Sequence, residues 1–239
     1  MSYDRNAPHT SSEGNKEYVD IAVNGTLMRG LELEPNLINL GARFVCDSYT
    51  EPMYRLFSID DIHPGMIRLP ASGLEKMIPV SVAVEIWSVP ASGIATLLGK
   101  EPPGLSIGKI KLTDGSTEVL GVLAETALIA GKRDISDFPG GGKANFRDYI
   151  VQEGMRIIDD ALDQATILTA HQITTVKKFR AAAGLLRQDG KSREAIDLLN
   201  YCVKELGLAS RLFQNMPLGS IESFHLVRNT ATSNKEFSK

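Results

Sequence analysis

Glu101 is the residue whose neighbours best suit it to moving a proton. It stands in Leu97-Leu98-Gly99-Lys100-Glu101-Pro102-Pro103-Gly104, between the apolar end of a short helix and a proline pair that fixes the backbone ahead of a strand. A carboxylate held against an apolar wall loses hydration in its charged form, so its pKa rises and it can serve as acid or base. A second stretch, Asn24-Gly25-Thr26-Leu27-Met28-Arg29-Gly30, follows the apolar run Ile21-Ala22-Val23. A strand is expected to end there in a glycine-opened turn. Without a Cβ the turn lets a ligand come close, and the backbone N–H groups of Gly25 to Leu27 can hold an anionic group. Arg55, beside Tyr54 on a predicted strand, offers a guanidinium that can grip a carboxylate with two parallel hydrogen bonds. Glu125 is a second carboxylate, more simply read as solvated.

Other chemistries find no support. The four histidines, His9, His63, His171 and His225, show no pair at metal-ligand spacing, and His63 is read as a turn residue before Pro64. Cys46 and Cys202 are far apart, so neither a disulfide framework nor a zinc site is indicated. Gly140-Gly141-Gly142 lacks the Lys-Ser/Thr of a phosphate loop, and no Gly-x-Ser-x-Gly or Ser-His-Asp pattern is found. No metal and no cofactor are expected. A net charge of −3 argues against nucleic acid. The stretch Met1–Lys16 is polar, and no segment approaches the run of apolar residues that a membrane span needs. A soluble, cytoplasmic protein with no membrane contact is the expectation.

The elements that must position these residues fall into two regions. Residues 1–16 and 230–239 hold little to bury and are read as disordered tails. Residues 17–145 are β-rich. Val80, Val82, Val84 and Ile86 share one face of a strand, and Ser81, Ala83, Glu85 and Trp87 share the other. Ala42–Asp47, Met53–Ile59 and Met66–Leu69 are shorter strand candidates, and Ile107–Leu112 and Glu118–Leu123 flank Asp114-Gly115, a hairpin signal. Short helices are expected near Glu34–Leu40 and Ala91–Leu98. Many short strands with one or two small helices suggest a small barrel. From Phe146 the period becomes helical: Val151, Met155, Ile158, Leu162 and Ala165; then Val176, Phe179, Ala183 and Leu186; then Ala195 to Leu206, with Ser192 as N-cap and Gly207 as stop. Residues 146–229 are therefore read as a three-helix appendage, set off by a break at Pro139-Gly140-Gly141-Gly142.

The strand followed by Asn-Gly-Thr-Leu-Met-Arg-Gly resembles the Tyr-Gly-Thr-Leu loop of the γ-glutamylcyclotransferase-like fold. That family binds substrate on this loop and uses one glutamate, after a Leu-rich helix and before a strand, as general acid/base; Glu101 matches that position. Asn24 stands in place of the family's tyrosine. Residues 19–149 resemble more closely the C-terminal domain of allophanate hydrolase, a divergent member of the same fold. The matching pieces are Leu40-Gly41-Ala42-Arg43-Phe44-Val45, Pro52-Met53-Tyr54-Arg55-Leu56-Phe57, Val84-Glu85-Ile86-Trp87 and Gly104 to Gly115. The resemblance implies an α+β fold: a small mixed β-barrel with short helices, here followed by the three-helix appendage. It implies a catalytic role for Glu101. For substrate it implies Asn24, Gly25, Thr26, Leu27, Tyr54, Arg55, Glu85 and Trp87, with Glu85 and Trp87 turned toward the pocket. A histidine of the family is replaced by Leu27.

Three functions remain open. One is a stand-alone enzyme, lyase or hydrolase, on a small carboxylated amide or urea-type compound, working beside an amidase partner. Another is a γ-glutamyl cyclotransferase-type enzyme in which Glu101 moves the proton. The third is a non-catalytic binding or assembly module. The row Val151, Met155, Ile158 and Leu162 suggests a homodimer through the appendage; the alternative is a monomer whose helices wrap its own barrel.

Overall fold

A computed structural model describes residues 17–70, 77–113, 118–164 and 168–208. Both predicted tails, the Asp114-Gly115 turn and Ala165 lie outside the described residues.

The fold is α+β, built on a curled mixed sheet. β1 (Tyr18–Val23) leads through the loop 24–33 to α1 (Glu34–Asn39) and β2 (Arg43–Tyr49). A hairpin of β3 (Tyr54–Ile59) and β4 (His63–Arg68) follows, then the long β5 (Ser81–Pro90), α2 (Ala91–Leu98), β6 (Leu105–Lys111) and β7 (Glu118–Ala124). β8 (Arg133–Asp134), β9 (Pro139–Gly140) and β10 (Lys143–Ala144) are short. The chain ends its described part in α3 (Phe146–Gln164), α4 (Ala170–Gln188) and α5 (Ser192–Glu205).

β5 is the hub. Its β-branched alternation favours an extended strand, and every one of its residues is buried. β1 pairs antiparallel along one edge, Tyr18 opposite Pro90 and Val23 opposite Glu85, and β2 pairs antiparallel along the other. β7 runs parallel to β1, and β6 pairs antiparallel to β7, Leu105 opposite Ala124 and Lys111 opposite Glu118. The sheet then curls back on itself. A bridge joins Thr50 to Leu112, and the amides of Thr113 and Glu51 donate to the carbonyls of Tyr49 and Lys111. β3, β4 and β8 form a second small sheet that leans on the first through a Tyr54–Val80 bridge.

Two details differ from the sequence reading. Pro139 to Gly142 does not simply interrupt the chain. Gly140, Gly141 and Gly142 all take positive φ, which lets β9 turn straight into β10, and β10 adds to β5 at Ser81 and Val82. Ser192 is not the N-cap of α5; Lys191 takes that place, without a side-chain cap bond. The well-formed cap is Thr169 of α4, whose hydroxyl accepts from the Gln172 amide while the Gln172 side chain accepts from the Thr169 amide.

The three C-terminal helices pack on one another and on the strands. One buried cluster runs from Ile21, Val82, Ile86 and Trp87 through Phe146, Tyr149 and Ile158 to Leu199 and Val203. Val151, Met155 and Ile158, the row from which a dimer was expected, are buried inside this chain. The Tyr149 hydroxyl donates to Asp61 at 2.5 Å and so fastens α3 to the β3–β4 turn; burial and that carboxylate push it up to about 12.

Candidate functional site

The strand register brings Glu101 and the Asn24–Leu27 loop to one end of the sheet. β1 and β7 run in the same direction, with Ala22 beside Gly121, so the loop that follows Val23 and the Ala124–Leu105 pair lie toward the same end. Two strand spacings, about 10 Å, separate the two chains there. α2 returns antiparallel to β5 and delivers Glu101 just ahead of Leu105. The neighbouring Lys100 ammonium donates to Asn36 of α1 at 3.0 Å, and the Leu33 amide just before α1 donates to the Thr26 carbonyl at 2.9 Å.

Glu101 is half-buried, and burial raises its pKa. Among the described residues no cation or hydrogen-bond donor meets its carboxylate. It is thus a carboxyl group with a tendency to hold its proton and nothing to give it to.

In the loop, Asn24, Gly25, Thr26 and Leu27 are all buried. The turn bonds use the amides of Met28, Leu31 and Leu33 and leave those of Gly25, Thr26 and Leu27 out. Gly25 owes its type to a close approach of protein: a Cβ there would lie 2.3 Å from Pro64 Cγ. The sequence reading gave that space to a ligand; the proline ring fills it. The Asn24 side-chain nitrogen is buried without an acceptor.

Glu85 and Trp87 lie further along the same end, in a closed knot. Glu85 is 0% exposed. One oxygen accepts from the Arg29 amide at 2.8 Å and the Trp87 indole at 3.1 Å. The other accepts from Arg29 Nε at 3.1 Å and Arg147 Nη1 at 2.7 Å. Arg29 also forks onto Asp47 at 2.9 Å and lies 3.4 Å above the Phe44 ring, and Phe44 meets Trp87 edge-on. Arg147 Nη1 reaches the Arg29 carbonyl at 3.3 Å. A buried carboxylate that accepts four donors is satisfied. Sequence reasoning did not single out Arg29 or Arg147. They meet Glu85 across 56 and 62 residues, and no local spacing announces such a contact.

Tyr54 and Arg55 stand apart from Glu101. The buried Tyr54 hydroxyl accepts from the Lys111 amide at 3.0 Å, at the far end of β6 from Leu105, roughly 20 Å along the strand. Burial raises its pKa, and the Lys111 amide works the other way. Arg55 pairs with Asp134 and donates to the Ile78 carbonyl at 2.5 Å. Burial favours the neutral Asp134, but the Arg55 and Ser136 hydrogen bonds outweigh it and hold that carboxyl below its usual range. His63 opens β4 instead of lying in a turn, and burial pulls its imidazole down. Among the described residues no cluster suited to a metal ion forms, and no helix is long and apolar enough to cross a membrane.

Residues 19–150 match the family model of the allophanate hydrolase C-terminal domain, and the chain belongs to that family. Urea amidolyase from Saccharomyces cerevisiae is 27% identical over 133 residues, 54% of this chain; the chain spans 7% of that protein's length. The crystal structure of Kluyveromyces lactis allophanate hydrolase is similar in fold, with a TM-score of 0.52 and 23% identity over 60% of this chain and 22% of that one. A uropathogenic Escherichia coli-specific protein of known structure is 49% identical over 56% of this chain and 95% of its own, with a TM-score of 0.49. The relation covers the strands, α1, α2 and the first residues of α3; α4 and α5 lie beyond it.

Proposed function

We propose that this member of the allophanate hydrolase C-terminal domain family acts on a small carboxylated amide or urea-type compound, with Glu101 as its acid. The observation that carries the reading is the state of Glu101: half-buried, raised in pKa by that burial, without a partner among the described residues, and four residues ahead of Leu105 at the loop's end of the sheet. A carboxylic acid whose pKa is raised by burial keeps its proton to higher pH, which suits it to proton donation.

In decarboxylation, protonated Glu101 gives its proton to the nitrogen that bears the substrate's carboxylate. The carbon–nitrogen bond breaks with its electron pair going to that nitrogen, carbon dioxide leaves, and the amide or urea remains. Glu101 regains a proton from water. The net change is substrate carboxylate plus one proton to amide plus carbon dioxide. The amides of Gly25 to Leu27 would steady the anionic end of the substrate, as oriented backbone N–H groups do. Leu27 stands in place of the histidine of the resembled pattern and cannot move a proton, so this reading rests on Glu101 alone.

The same glutamate serves the γ-glutamyl cyclotransferase reading, as a base that takes a proton from an attacking amine. The full-length protein is assayed for carbon dioxide release from urea-1-carboxylate and for 5-oxoproline release from a γ-glutamyl amide. Release from the first, lost in Glu101→Gln, supports the proposal. Release from the second alone moves it to the cyclotransferase reading. A folded protein inactive on both overturns it and leaves the binding module.

A further inference from the structure

The helices beyond the family's domain reach back onto the candidate loop. Gly30, at the loop's end, takes φ +81, and the place its Cβ would occupy is 2.7 Å from Arg193 Cβ, 2.7 Å from Cγ and 3.0 Å from Cδ. The aliphatic stem of Arg193, in the first turn of α5, therefore lies flat on bare backbone. From the other side the loop is already held. Its Arg29 amide and guanidinium go to Glu85, its Arg29 carbonyl receives Arg147, and its Gly30 amide donates to Glu34 at 2.7 Å. α5 cannot easily give way, because Ala195, Ile196, Leu199 and Cys202 anchor it in the common core.

We infer that α5 closes a clamp on the Asn24–Gly30 loop, with Arg193 as a positioning residue for the candidate site. That the loop serves a substrate rests on the function proposed above; the clamp itself does not. The knot of Glu85 with Arg29 and Arg147 holds the loop to β5 and α3, and the Arg193 stem holds it to α5. Coupling of this kind is reciprocal: what loosens α5 loosens the loop, and what distorts the loop loosens α5.

Hydrogen–deuterium exchange on the full-length, ligand-free protein tests the clamp without a substrate. Local opening governs exchange of the amides of Met28, Leu31 and Leu33, hydrogen-bonded within the loop, and of Arg29, bonded to Glu85. Arg193→Ala removes the stem beyond Cβ and is expected to speed their exchange about tenfold, while amides of the β6–β7 pair stay within about twofold of the parent. Arg193→Met keeps an apolar stem without the charge and is expected to restore protection. Gly30→Ala is expected to speed exchange at Leu198 to Val203 of α5. Unchanged loop protection in Arg193→Ala overturns the clamp, and so does equal loss in the loop and in β6–β7. Equal loss in Arg193→Met and Arg193→Ala overturns the role of the stem. Because activity is not read, loss of catalysis in Glu101→Gln tests the other reading separately.

Discussion

Two buried glutamates at one end of the sheet receive opposite treatment. Glu85 is wholly enclosed and accepts from four donors, two of them on guanidinium groups. Glu101 is half-enclosed and meets no donor among the described residues. Both lose hydration, but only Glu85 is compensated. A compensated carboxylate joins pieces of chain: Glu85 ties β5 to the 24–33 loop and to α3. An uncompensated one stores a tendency to hold a proton, which is useful only if a reacting group comes to take it. Burial alone therefore does not single out a candidate for proton transfer; burial without a partner is the feature that separates Glu101 from Glu85.

The same substitution at both positions puts this contrast at risk. Glu101→Gln keeps the shape and removes the proton, so turnover on the true substrate should fall about 100- to 10,000-fold, measured as kcat/KM on protein of unchanged circular dichroism. Unchanged turnover would erase the distinction between the two glutamates. Glu85→Gln leaves two guanidinium groups facing a neutral amide. Breaking a buried ion pair on one side costs about 3–5 kcal/mol, read from urea unfolding midpoints at constant slope. A cost under about 1 kcal/mol would mean that the knot is replaceable.

The smallest effect is in the pH dependence. The folded pKa of Glu101 lies above its unfolded value, so its favourable contribution is complete below the unfolded pKa and is lost as pH rises through the folded one. Glu101→Gln does not titrate. The variant should equal or exceed the parent in stability at neutral pH, with the gap closing in acid below the ordinary glutamate range. A gap that widens in acid would show that Glu101 gains a partner when charged.

The features legible in the sequence are those that local sequence controls. The alternation of Val80 to Trp87 marked β5, the apolar run Ile21-Ala22-Val23 marked the end of β1, and Asp114-Gly115 marked the pairing of β6 with β7. Glu101 was conspicuous because its apolar and proline neighbours are adjacent in the chain. The knot was not, because Arg29, Glu85 and Arg147 become neighbours only after β1, β5 and α3 have packed. Alternation put Ser81, Ala83, Glu85 and Trp87 on the second face of β5. That face is buried as well, with Glu85 held by Arg29 of the loop and Arg147 of α3. The Pro-Gly-Gly-Gly stretch misled for another reason: glycine's tolerance of positive φ serves a break and a two-residue hairpin equally well.

The hub position of β5 also bears on how fast the chain can fold. Its partners β1, β2 and β10 are supplied from stretches well before and well after it in the chain, and the closing bridge joins Thr50 to Leu112. Each of these pairings needs a long loop closed before any hydrogen bond rewards it. The β6–β7 hairpin and the α4–α5 pair need only short excursions. High contact order in the barrel against low contact order in the helices predicts early formation of those local units and a late, slow step when β5 takes its place. The knot at Glu85 can form only after that step, so the rate of acquiring the native Trp87 fluorescence reports the time at which the candidate site comes into being.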